Sequence, residues 1–341
     1  MARRQVGFAV LGCGMIGEFH AQSIRQVPGA RLVAVADSDS TRAQTIATQH
    51  GCKWYDSLEE LLADPAVEVV NICTPTGLHA EQGMAVAQAG RHVLIEKPLD
   101  RSLAKVNRLI STCHRQGVKL GCIFQYRFTE GPRRIKQAVE HGDFGRLISG
   151  SAEVMWNRSQ EYYNSSSWRG TLALDGGCLW NQAVHYIDLL CWIMGRPKKV
   201  LAAHLATTVR EIEAEDVGFA QLLFRSGAVG SIRATTAVAP GLPARLEICG
   251  THGCATLTNG VITHFATTGD KGARTPEGHV DSGAAGDAKA LKAAGHIAQI
   301  EDFVEAVLLD RTPLVDGIEG RCAVKLLTEI YRLAGVRPCD A

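Results

Sequence analysis

The chain has 341 residues, too many for one ordinary domain and enough for two that each bury a core. Its 36 basic and 35 acidic side chains leave a formal charge of +1 with no long run of either sign, which argues against a nucleic-acid face or a polybasic membrane patch. A small-molecule partner is expected instead. The 11 cysteines include no C-x-x-C pair and lie mostly in apolar segments, as buried thiols of a reducing compartment do, and no metal is expected.

Met1-Ala2-Arg3-Arg4 followed by an apolar stretch imitates a secretory signal, but residues 6–11 fall short of the roughly 7 to 15 of a signal core. No window approaches the ~20 apolar residues of a membrane span, so a cytoplasmic protein is expected. Residues 5–11 read as a buried strand, and Gly12-Cys13-Gly14-Met15-Ile16-Gly17 follows at once, opening a helix. In this fingerprint the first glycine allows the tight turn, the second lets backbone approach a pyrophosphate, and the third permits close helix-strand packing. A second strand, 31–36, ends in Asp37, placed to accept hydrogen bonds from a ribose. An acid there repels a 2′-phosphate, which favours NAD over NADP.

The alternation continues with a helix capped at Ser40 and stopped by Gly51, a strand at 53–55, and a capping box Ser57-Leu58-Glu59-Glu60. A strand at 67–73 ends in Thr74-Pro75-Thr76, over which a nicotinamide can lie, and a helix follows at 78–89. The strand at 94–97 delivers Lys97 before Pro98 stops it; a surface Glu96-Lys97 pair is the plainer alternative. A helix at 102–116 and a strand from 119 to about 124 complete six strands, with Gly12, Asp37, Thr74 and Lys97 along one edge.

Beyond Gln125-Tyr126-Arg127-Phe128 the pattern changes: a helix at 132–140, an alternating strand at 147–156, then an aromatic stretch with Tyr162, Tyr163, Trp168 and Arg169. Aromatic faces and an arginine suit a sugar-like ligand, although a surface loop with inward aromatics fits the same residues. The helix 179–194 is apolar almost all round, yet Asn181, His185 and Asp188 share one face at i, i+4 and i+7, a stripe suited to a pocket. Strands at 200–209, 217–224, 228–238, 245–249 and 255–265 imply a largely antiparallel sheet. A long loop is read at 267–295, with helices at 296–309 and 318–333. A broad open sheet needs its second face covered, so a homodimer or homotetramer through this sheet is expected.

Gly12-x-Gly14-x-x-Gly17-x-x-His20, Cys73-Thr74-Pro75 with His79, Glu96-Lys97-Pro98, and Gly176-Gly177-x-x-x-Asn181-Gln182-x-x-His185-x-x-Asp188, in that order, resemble the Gfo/Idh/MocA oxidoreductases. The resemblance implies an α/β fold, with a doubly wound parallel Rossmann sheet at 1–124 binding NAD(P). It also implies a C-terminal α+β domain at 125–341, with a large, mostly antiparallel open sheet for substrate and oligomerisation. The implied activity is a dehydrogenase acting on a CH–OH group of a sugar, cyclitol or nucleotide sugar, with Lys97 and His185 catalytic. Cofactor contacts are expected from Gly12, Gly14, Met15, Ile16, Gly17, Asp37, Cys73, Thr74, Pro75, His79, Glu96 and Lys97. Substrate contacts are expected from Lys97, Tyr126, Arg127, Trp168, Arg169, Asn181 and His185.

One departure matters: inositol dehydrogenase-like members carry an Asp where this chain has Asn181, and the Asn-Gln-x-x-His form looks more like the nucleotide-sugar and amino-sugar uronate branch. A neutral amide cannot take a proton, so His185 would pass its proton to solvent or through Asp188. Two other activities share the fold, an NAD-retaining glycosidase acting by transient oxidation and a non-catalytic NAD-binding regulator.

Overall fold

The computed structural model describes residues 4–269 and 293–336. The chain begins as strand-helix pairs: β1 (Val6–Leu11), α1 (Met15–Arg25), β2 (Ala30–Ala36), α2 (Ser40–His50), β3 (Lys53–Tyr55), α3 (Leu58–Ala63), β4 (Val69–Ile72), α4 (His79–Gln88), β5 (His92–Ile95), α5 (Leu103–Gln116) and β6 (Leu120–Cys122). It continues with α6 (Glu130–His141), β7 (Leu147–Met155), α7 (Gln160–Asn164), a π-helical turn (Cys178–Ala183) and α8 (Val184–Met194). Then come β8 (Pro197–Ala206), β9 (Val217–Phe224), β10 (Val229–Thr235), β11 (Arg245–Gly250), β12 (Gly253–Thr258), β13 (Val261–Thr267), α9 (Ala293–Leu308) and α10 (Gly317–Leu333). The expected loop at 267–295 lies mostly outside the described residues; its ends belong to β13 and α9.

β1 to β6 form a parallel sheet in the order β3-β2-β1-β4-β5-β6, the doubly wound arrangement whose chain reversal falls between β1 and β4. β1 is buried throughout, as a strand covered on both faces must be. Local chemistry sets the helix ends. α2 is capped by Asp39 rather than Ser40, because the longer carboxylate reaches Thr41 N and Arg42 N at 3.1 and 3.2 Å. Ser57 caps α3 through Glu60 N at 3.2 Å, but the Glu60 carboxylate accepts from Asp56 N, one residue short of the reciprocal box.

β7 to β13 form a seven-stranded sheet in the order β13-β12-β11-β7-β10-β9-β8, antiparallel except for the pair β7 and β10. The single strand expected at 255–265 is a hairpin, β12 and β13. Asn259 and Gly260, at φ 47° and 80°, supply the two left-handed residues that a two-residue hairpin turn requires. β8 starts and stops three residues earlier than expected. Thr208, Val209 and Arg210 instead turn their N–H groups to the buried Asp216 carboxylate, at 2.8, 2.7 and 2.7 Å.

The chain packs as two compact units, Met1–Gln125 with Lys292–Val324, and Tyr126–Leu291 with Lys325–Ala341. The single division expected at 124/125 therefore misplaces α9, which belongs to the first unit. Its Ile300, Phe303 and Val304 are buried in one core with Phe8, Ile24, Val27 and Leu94. Gly121 and Gly29 make room for it, since a methyl group at either would stand 2.8 or 2.9 Å from Phe303 or Val304.

Candidate active site

In the first unit, the residues at the carboxyl ends of β1, β2, β4 and β5 share one sheet edge. Gly12 (φ +97°) turns the chain where a Cβ would press on the Cys73 carbonyl at 2.9 Å, and a Cβ on Gly17 would lie 1.8 Å from the Gly12 oxygen. Gly14 differs: a Cβ there meets no protein atom within 4 Å, and no side chain caps the α1 N-terminus that it opens. Asp37 is half-buried beside this loop, accepting from Cys13 N at 2.7 Å and from Asp39 N at 2.9 Å. Each carboxylate oxygen keeps a further lone pair for a ribose hydroxyl. An open glycine, free helix amides and an adjacent acid fit a dinucleotide pyrophosphate and its ribose.

Lys97, half-buried, follows β5 directly. Glu96 fixes its backbone, accepting from Lys97 N at 3.0 Å through one oxygen and from His20 Nε2 at 2.7 Å through the other. Asn71 Nδ2 donates to His20 Nδ1 at 2.8 Å, and His296 Nε2 stands 3.9 Å from the same Glu96 oxygen. Burial alone would raise the Glu96 carboxyl, but the His20 hydrogen bond and the surrounding Lys97 and His296 hold it below the usual carboxylate range. His79 bridges the two neighbouring strand ends, with Nε2 2.7 Å from the Thr74 carbonyl oxygen and Nδ1 2.8 Å from that of Pro98. Burial lowers its pKa and favours a neutral ring that donates to one carbonyl at a time. Asp100 accepts from Ser102 N and Ala80 N at 2.8 and 3.1 Å, and burial lifts its carboxyl to about 6.

In the second unit, α8 is buried all round except at His185 and Trp192, which are half-buried. The His185 ring lies 5.2 Å from that of Tyr126. The π-helical turn, with its i→i+5 bonding, interrupts the even α spacing assumed for the polar stripe. Asn181 donates through Nδ2 to Asp175, and Asp188 is 1% exposed and gripped by Arg127, with Nε to Oδ2 at 2.8 Å and Nη2 to Oδ1 at 2.6 Å. Each Asp188 oxygen thus takes one N–H of the guanidinium, which fixes the carboxylate at the inner side of α8. Arg127, 5% exposed and stacked over Trp192 at 5.4 Å, is a structural cation rather than the substrate ligand expected of it.

Trp168 and Arg169 stand together with Tyr162, and Arg158 bonds Gln182 Oε1 at 3.1 Å. Three acids were not singled out from the sequence. Asp175 orients the Asn181 amide and accepts from Gly170 N at 2.8 Å; Glu215 accepts from Leu179 N at 3.0 Å and from Tyr331 Oη; Asp216 folds the 208–210 loop. The only sequence signal near Glu215 is Gly177, where a Cβ would collide with it at 2.1 Å.

Residues 6–124 match the GFO/IDH/MocA "Oxidoreductase family, NAD-binding Rossmann fold", and residues 133–256 match the GFO/IDH/MocA C-terminal domain. The WlbA dehydrogenase of Bordetella pertussis, solved in complex with NADH and UDP-GlcNAcA, is 34% identical at a TM-score of 0.87, covering 98% of this chain and 97% of its own. The myo-inositol 2-dehydrogenase of Thermotoga maritima is 29% identical over 329 residues, 93% of this chain and 92% of its own. The scyllo-inositol 2-dehydrogenase (NAD(+)) of Bacillus subtilis is 27% identical over 326 residues, 92% of this chain and 90% of its own. With both of its domains matched, in the fold and order that the motifs implied, the chain belongs to the GFO/IDH/MocA family of NAD-binding oxidoreductases.

Proposed function

We propose that the protein is an NAD-dependent dehydrogenase that oxidises a secondary hydroxyl of a sugar, cyclitol or nucleotide sugar. The observation that carries this is the single edge of the first sheet, where the open Gly14 loop, Asp37 and Lys97 all end parallel strands. When bound, the nicotinamide supplies the hydride acceptor. Gly12, Gly14 and Gly17 with Asp37 hold the dinucleotide, and Met15, Ile16, Cys73, Thr74, Pro75 and His79 line its course. Lys97, its backbone fixed by Glu96, stabilises negative charge developing on the reacting oxygen. His185 takes the hydroxyl proton and passes it on to solvent or through Asp188, whose carboxylate Arg127 holds in place. Tyr126 packs on the His185 ring, and Trp168, Arg169 and Asn181 contribute to the substrate side.

Purified protein given NAD with a panel of sugars, inositols and UDP-sugars should accumulate NADH with at least one of them. Lys97→Ala and His185→Ala should each cut kcat by about 10²- to 10⁴-fold. Full turnover in either variant would remove that residue from the chemistry, whereas sugar release without NADH would favour the glycosidase.

The relatives suggest substrate classes, and a homo-oligomer is the further reading for the second sheet. Its outer face carries Val229, 51% exposed, paired with Leu223 and followed by Arg233 opposite Phe219. A second copy laid sheet to sheet would cover these, and light scattering on the eluting protein reads the mass directly. A cytoplasmic location is supported by cysteines packed into the cores, among them Cys73, Cys113, Cys122 and Cys178. No helix among the described residues is long and apolar enough to cross a membrane.

A further inference from the structure

The cysteines of this chain do not share one environment. Burial pushes the thiols of Cys13 and Cys113 up to about 12 and those of Cys73 and Cys178 well above the ordinary thiol value, which leaves them protonated and inert. Cys249 on β11 and Cys254 on β12 are half-buried and stand directly opposite each other in the antiparallel register. Glu247 and Cys249 alternate with the buried Leu246 and Ile248, so both sulfurs belong to the outer face of the second sheet.

The ladder fixes how close they come. Asn259 N donates to the Ala244 carbonyl oxygen at 2.8 Å, so hydrogen-bonded pairs alternate from there through Leu246 with Leu257 and Ile248 with Ala255. Cys249 and Cys254 therefore make a non-hydrogen-bonded pair, the type with Cα atoms about 4.5 Å apart, inside the roughly 4.4–6.8 Å that a disulfide spans. His264, on β13 two residues before the Ala266 that faces Cys254, brings Nε2 to 3.5 Å from Cys254 Sγ. An imidazole nitrogen at that distance can take the thiol proton and leave a nucleophilic thiolate. Burial and then the neighbouring Cys254 push the Cys249 thiol up, so Cys249 is the partner that stays protonated while Cys254 ionises. The row Cys254, Cys249, Ser149, Val229 runs across the face read above as a subunit contact, which favours a small reactant over a protein one.

We propose that Cys254, His264 and Cys249 form a thiol site that reacts with a small hydroperoxide and closes a reversible Cys249–Cys254 disulfide. Cys254 Sγ gives its proton to His264 Nε2 and attacks one peroxide oxygen; the O–O bond breaks, the other oxygen leaves with that proton as water, and Cys254 becomes a sulfenic acid. The Cys249 sulfur then attacks the Cys254 sulfur, the S–O bond breaks, and the hydroxide leaves with the Cys249 proton as a second water. Two thiols are oxidised by two electrons and one hydrogen peroxide is reduced to two waters. Cys254 as a neutral sulfenic acid no longer holds the Cys249 proton in place, so the second step follows from the first. The inference is independent of the dehydrogenase reading.

The test treats the native protein, in its own assembly, with hydrogen peroxide, blocks the remaining thiols with N-ethylmaleimide and maps the linkages by mass spectrometry without reductant. A Cys249–Cys254 link should form ahead of oxidation at any other cysteine, and dithiothreitol should remove it. Cys249→Ser should instead accumulate a sulfenic acid at Cys254 that dimedone traps, and His264→Gln should slow peroxide consumption about tenfold. Melting curves establish that each variant is folded, and the mapping on the native chain needs no variant at all. Oxidation of another cysteine first, no link between Cys249 and Cys254, or a folded His264→Gln that reacts at the native rate overturns the proposal.

Discussion

At Gly14 an added methyl group would meet no protein atom, whereas at Gly17 it would strike the Gly12 carbonyl at 1.8 Å. The two positions therefore separate binding from folding. Gly14→Ala should keep the native melting curve while weakening NADH about tenfold or more in a fluorescence titration, and Gly17→Ala should lose both. Asp37 acts on the other end of the cofactor. Replacing it with Ala should raise the KM for NAD and narrow the preference over NADP, read from initial rates with each cofactor, since the carboxylate that repels a 2′-phosphate is gone. These residues were legible because spacing ties them to a strand end: Gly12 and Lys97 announce themselves by what precedes them. Asp175 and Glu215 were not, since Asp175 follows an apolar run with nothing to mark its bond to Asn181, and Glu215 is one of four acids at 211–216 whose partner Tyr331 is remote in the chain.

Among the elements, α8 shows how a periodicity can be right about burial and silent about partners. The polar positions were visible, but their spacing assumed an unbroken α-helix, and nothing in the sequence declared that Asp188 would be spent on Arg127. That buried pair makes a firm prediction. Asp188→Asn leaves a guanidinium 5% exposed without its countercharge and should destabilise the fold by about 3–5 kcal/mol in urea unfolding. Replacing both partners with apolar residues of similar volume should cost much less. The β12-β13 hairpin carried a readable sign, Asn259-Gly260, overlooked because the flanking residues alternate smoothly enough to pass for one strand.

For the molecule as a whole, pH acts through its buried carboxylates in opposite senses. Burial pushes Asp216 up, but the backbone N–H groups around it win and hold it below its ordinary value. Its contribution is complete above the unfolded pKa of ~3.9 and is lost as the pH falls through the folded value. Asp100, raised to about 6, does the reverse: the folded chain binds its proton more readily than the unfolded one, so its penalty is full above pH 6 and fades toward pH 4. Asp100→Asn should thus gain stability relative to the native protein at pH 8 more than at pH 5, measured by denaturant titration at both.

The membership of α9 in the first unit was not legible either, because an apolar stripe states that a helix is buried and not against which sheet. Residues 1–125 expressed alone should bind hydrophobic dye and melt without cooperativity, having lost Ile300, Phe303 and Val304 from their core. On a ribosome the same feature imposes a wait. At ordinary elongation rates roughly ten to forty seconds separate synthesis of β6 from that of α9, and through that interval the nascent sheet carries an open apolar seam on which a chaperone would act. The unit that is made first is the one that must be finished late.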